Sequence, residues 1–131
     1  MVDKCDTTGV WYGRYDADHW DETNGFIGVL EEAGGAIGGT ITERDPSGMA
    51  ELRRALVSGF RDGRSVRFVK QYDGTGGHDH AIDYAGHIDE EGTLIAGTWS
   101  QSWGSGRFVM EREKFDAEAL EAEEEEELTL R

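Results

Sequence analysis

Eight stretches of strand-forming residues begin 10–17 positions apart along this chain, most of them closed by Gly, Asn, Asp or Ser. That cadence allows few folds. The stretches run from Gly9 to Tyr15, Phe26 to Glu32, Ala36 to Glu43, about Arg53 to Phe60, Ser65 to Tyr72, Ala81 to Asp89, Thr93 to Ser100 and Gly106 to Glu113. Several alternate with period two: Val66, Phe68, Lys70 and Tyr72 share one face, and Ile82, Tyr84, Gly86 and Ile88 share another. Asn24-Gly25, Gly34-Gly35, Asp62-Gly63 and Glu91-Gly92 read as tight turns. The fourth stretch is ambiguous, because Met49, Leu52, Leu56 and Phe60 fall near helical spacing. A short helical turn over 48–52 leading into a strand reconciles both signals.

Short strands joined by tight turns form an up-and-down meander, and eight of them remove their exposed edges by closing. The expected fold is therefore all-β, an eight-stranded antiparallel up-and-down β-barrel. A chain of 131 residues holds one such domain. It divides into a lead-in over 1–8, expected to fray, a barrel over 9–113 and an acidic tail over 114–131, disordered or a frayed helix. Nineteen glycines against one proline suit a small, sharply coiled barrel.

Charge narrows the partners. A formal charge of −15 argues against a phosphate backbone or an anionic membrane as ligand. The tail from Asp116 to Arg131 carries −7 of it, so residues 1–115 keep −8. Cys5 is the sole cysteine, which excludes an internal disulfide. The first residues lack an apolar core of the signal-peptide kind, and a cytoplasmic setting is expected.

Gly9-Val10-Trp11 resembles the G-x-W of the calycins, the superfamily of lipocalins, fatty-acid-binding proteins and avidins. That resemblance implies a closed barrel with an Arg from near the last strand stacked on the Trp, and Arg112 stands in a similar place. The chain departs from each branch. Ile82 replaces the Thr of a lipocalin T-D-Y before Asp83-Tyr84, no helical cap interrupts the strands, and Tyr12 to Asp16 replaces the avidin biotin residues. Length and meander are most similar to the avidins, without their biotin motif.

The side chains expected inside are Trp11, Phe26, Leu30, Ile37, Ile41, Leu56, Phe68, Tyr72, Ile82, Tyr84, Trp99, Phe108 and Met110. Aromatic walls with a few hydroxyls suit a small amphipathic molecule. Gly13, Gly28, Gly39, Gly86 and Gly97, all facing inward, favour a small pocket over a filled interior. The candidate ligand-binding residues are Tyr72, Tyr84, Trp99, Trp103, Phe68, Lys70 and Trp20, the last a lid or an end plug. Lys70 has two readings: an inward ammonium that must be paired or neutralised, or a rim side chain reaching water. His78-Asp79-His80 does not converge on a metal from an extended loop, so no metal and no cofactor are expected. No nucleophile has a neighbouring base and Gly74 to Gly77 is not a phosphate loop, so no catalytic residue is assigned.

The expected function is binding of a small, partly apolar ligand inside the barrel. The alternative is a filled barrel acting as a protein-interaction module or homo-oligomer through its outer face.

Overall fold

A computed structural model describes residues 3–17, 23–44, 52–75 and 79–113. The eight strands are β1 (Gly9–Ala17), β2 (Thr23–Ala33), β3 (Ala36–Arg44), β4 (Leu52–Asp62), β5 (Ser65–Tyr72), β6 (Ala81–Ile88), β7 (Leu94–Gln101) and β8 (Gly104–Glu111). They close in chain order, β8 pairing back onto β1, and every neighbouring pair is antiparallel. The sheet has no free edge.

Alternation sorts the residues. In β5 Val66, Phe68, Lys70 and Tyr72 are buried while Arg67, Val69 and Gln71 are exposed. The same period buries Ile82, Tyr84, Gly86 and Ile88 of β6. β4 corrects one expectation: Leu56 is 59% exposed, and Arg53, Ala55 and Val57 point inward. The run Ala55-Leu56-Val57 is apolar on both faces, so its own pattern cannot set parity; pairing of Ala55 with Ile41 and of Gly59 with Phe68 does. Leu52, placed in a helical turn by its spacing, opens β4, and 48–51 lie outside the described residues. Asn24-Gly25 is not a turn either. Both residues belong to β2, paired with Tyr15 and Arg14, because ladder pairing continues past them.

The inward glycines do not leave open space. A side chain at Gly13 would overlap the Phe26 ring, 2.1 Å from its nearest atom, and one at Gly86 would lie 3.1 Å from Phe108. Rings fill the room at these two, neighbouring backbone crowds Gly39 and Gly97, and the seventeen apolar core residues among those described are each 5% exposed or less.

One end is sealed. The Arg112 guanidinium, just past β8, lies 4.4 Å from the Trp11 ring centroid. It donates to the carbonyls of Gly92 (2.7 Å), Thr8 (2.9 Å), Asp6 (2.7 Å) and Lys4 (3.3 Å), so the cation is satisfied without a carboxylate. The Trp11 indole N–H donates to Thr7 O at 2.8 Å. Residues 3–8 therefore do not fray: they lie across this end, with Thr7 wholly buried and Asp3 paired with Arg61. Gly92 makes the seating possible. Its φ of 74° is left-handed, and a Cβ there would lie 1.7 Å from Lys4 O.

Candidate functional site at the Glu43–Lys70 barrel end

The opposite end is where β1, β3, β5 and β7 finish and β2, β4, β6 and β8 begin. Its interior is polar. β3 carries Glu43 two residues beyond Ile41, so the strand's period aims its carboxylate into the barrel. β5 aims Lys70 inward in the same way, and β4 adds Arg53. The Glu43 and Lys70 side chains are both 0% exposed, and Arg53 is 8% exposed.

Glu43 is the hub. Its Oε1 accepts from Tyr15 (3.2 Å), from the Tyr72 hydroxyl and from Arg53 Nη2 (3.0 Å); its Oε2 accepts from Lys70 Nζ at 3.3 Å. Lys70 Nζ also lies 4.6, 4.8 and 5.1 Å from the ring centroids of Tyr15, Tyr72 and Tyr84. The ammonium thus sits in a cage of three phenol rings with one carboxylate against it. Burial lowers the Lys70 ammonium to about 8, against the opposing pull of Glu43. Burial and the Glu43 charge together push the Tyr15 hydroxyl up to about 12 and the Tyr72 hydroxyl further. Burial raises the Tyr84 hydroxyl as well, so all three tyrosines keep their protons near neutral pH, Tyr15 and Tyr72 donating to Glu43. The Tyr84 hydroxyl is buried and has no hydrogen-bond partner among the described residues.

Aromatic rings form the floor and walls. Phe68 lies one layer deeper and stacks on Tyr84 at 4.8 Å and 8°, with Phe108 edge-on to Tyr84 at 4.9 Å. Trp99 meets Tyr15 edge-on at 6.1 Å and donates its indole N–H to Asp16 O. Trp103 is 64% exposed on the turn between β7 and β8, and His80 lies between it and Tyr72.

The structure therefore brings Lys70, Tyr72, Tyr84, Trp99 and Phe68 together inside one end, with Trp103 outside at the rim. Trp20 and His78 lie outside the described residues. Lys70 corrects the reading of a rim side chain reaching water, because Glu43 and the ring cage satisfy it inside. Glu43 and Arg53 were missed in the sequence, where His80 was weighed only as a metal ligand. Glu43 was detectable, since it continues the inward series Ile37, Gly39, Ile41; Arg53 was hidden by the wrong parity of β4.

A shallow groove of about 420 Å³ crosses the outside of the barrel, lined by Ser58, Phe60, Arg67, Val69, Asp83 and Thr98 among others. These side chains alternate outward, and Phe68 and Tyr84 of the interior also border the groove. The class defined by fold and site is a closed up-and-down eight-stranded barrel with an aromatic interior and a buried ion cluster at one end. No protein-family model and no curated relative matches the chain.

Proposed function

We propose that the barrel binds a small, partly apolar molecule at the Glu43–Lys70 end, its polar group meeting Lys70 and the Tyr84 hydroxyl. One observation carries this reading: an ion pair with neither side chain exposed sits in a phenol cage beside a buried hydroxyl that lacks a partner among the described residues. Two charges removed from water cost several kcal/mol each before their attraction is counted, and apolar residues of similar volume are often more stable. A barrel built only to fold has no need of Glu43, Lys70 and Arg53 inside. Groups of this kind, with shifted protonation, cluster where ligands are bound or transformed. The rings of Phe68, Tyr84 and Trp99 supply the apolar walls. Because these side chains are closely packed, the ligand enters by moving rings at this end aside.

In this reading the chain is a calycin-like barrel acting in the cytoplasm, with the Trp11–Arg112 stack as its structural end. A thermal-shift screen of the full chain against biotin, fatty acids, haem and flavins tests it. The expected result is a rise in Tm for at least one compound that Lys70→Met abolishes. Stabilisation by none of them, or one that survives Lys70→Met, counts against the reading. The low exposure of the interior favours a second reading, a filled barrel working through its outer surface; it predicts no compound in the screen that stabilises.

A further inference from the structure

We propose that the ligand of the Glu43–Lys70 end meets it with an oxygen acceptor, a carbonyl or a carboxylate, carried on a small planar ring. This rests on the ligand reading above and names the chemistry that the site selects. Hydrogen-bond capacity decides it. An ammonium has three donors and no acceptor. Lys70 gives one to Glu43 Oε2, and its remaining N–H groups meet no other oxygen among the described residues, only the rings of Tyr15, Tyr72 and Tyr84. The Tyr84 hydroxyl, whose ring belongs to that cage, has no partner among them either. Both side chains are buried, so these donors look to a ligand and not to bulk water.

The acceptor side is nearly full. Glu43 Oε1 takes Tyr15, Tyr72 and Arg53, more donors than a carboxylate oxygen has lone pairs, and Oε2 takes Lys70. An oxygen acceptor beside Lys70 and the Tyr84 hydroxyl gives both a hydrogen bond, charge-assisted at Lys70, that ring faces do not supply. An amine in the same place meets the Lys70 charge with its own and must share what remains of Glu43 Oε2. Burial already lowers Lys70 to about 8, and an acceptor at its remaining N–H groups favours the charged form. The body of the ligand follows from the walls. Phe68 lies parallel to Tyr84 at 4.8 Å, Phe108 stands edge-on to Tyr84 at 4.9 Å, and Trp99 stands edge-on to Tyr15 at 6.1 Å. Ring faces and edges at these spacings suit another planar ring. A closely packed interior also favours a small rigid body, with fewer rotors to immobilise than a flexible chain.

Isothermal titration calorimetry of the full chain with benzoate, acetophenone and benzylamine tests this, since the three share one ring and differ in the polar group. At ~0.15 M salt, where the Debye length is ~8 Å, the overall charge of −15 is largely screened and lends the amine little help. The expected result is that benzoate or acetophenone binds at least about tenfold more tightly than benzylamine, and that Lys70→Met weakens this binding by about tenfold or more. Benzoate ahead of acetophenone assigns a carboxylate, and the reverse order a neutral carbonyl. Tyr84→Phe supplies a readout that a structural role would not move in this way. It should weaken the acceptors by about threefold or more yet leave Tm unchanged or higher, because it removes a buried hydroxyl without a partner among the described residues. Benzylamine bound as tightly as the acceptors, and lost in Lys70→Met, overturns this inference and leaves the ligand reading in place. Acceptor binding that neither substitution weakens, or no binding of any of the three, overturns both.

Discussion

Arg112 shows how a single residue closes a barrel. Its planar fork reaches four carbonyls from the lead-in and the β6–β7 turn while its face covers Trp11. Lysine has the charge but not the fork. Trp11→Ala and Arg112→Ala should each cost about 3 kcal/mol, a fall of ~10 °C in Tm for a domain of this size, with Arg112→Lys in between. Thermal unfolding followed by circular dichroism checks this, and a loss no larger than that of a surface substitution refutes the pairing. Lys70 makes a second prediction. Its folded pKa is about 8 against an ordinary 10.5, so the unfolded chain binds more protons between those values and stability rises with pH there. The penalty for burying the ammonium is fully present below pH 8 and fades toward 10.5, a difference on the order of 3 kcal/mol. The raised Tyr15 acts oppositely, holding its proton up to about 12, so the gain is clearest between pH 8 and 10. Urea unfolding at pH 7.5, 9 and 10 should show the rise in wild type and not in Lys70→Met. Period-two spacing made the inward direction of Lys70 legible. Its partner was not, because Glu43 lies on another strand and only barrel closure brings the two within 3.3 Å.

At the scale of elements, the meander was readable because turn residues and alternation agreed in most strands. Agreement failed where local signals had two solutions. Ala55-Leu56-Val57 is apolar on both faces, and its parity came from β3 and β5; Asn24-Gly25 has turn chemistry, yet the ladder to β1 runs through it. The lead-in was unreadable for another reason. Thr7 and Asp6 are polar residues whose order comes from side chains far along the chain, Glu32 with Thr7 and Arg112 with Asp6 O. Truncation separates the two chain ends. Removing residues 1–8 should lower Tm by ~10 °C or more, because it strips the carbonyls from Arg112 and the Glu32 partner Thr7. Removing 116–131 should leave Tm unchanged, since the barrel closes between β1 and β8 without them. Equal effects from the two deletions would contradict this division.

The whole molecule has two unlike ends on one continuous sheet. The sealed end satisfies every requirement of stability: a stacked Trp–Arg pair, a salt-bridged Arg61 held by Glu32 and Asp3, and backbone donors matched to carbonyls. The other end does the opposite, placing two cations and a carboxylate among aromatic rings. The proposed function reads this asymmetry as one end kept for folding and the other for binding. We propose that the ion cluster serves a ligand at a cost in stability. Native mass spectrometry of wild type and Glu43→Leu/Arg53→Leu/Lys70→Met, each purified as the full chain and also weighed after denaturation, tests it most directly. The expected result is an extra, non-covalent mass on wild type alone, with the triple variant folded and at least as thermally stable, since it leaves no member of the cluster buried without its partner. Wild type without added mass, or a triple variant that unfolds more readily than wild type, would contradict it.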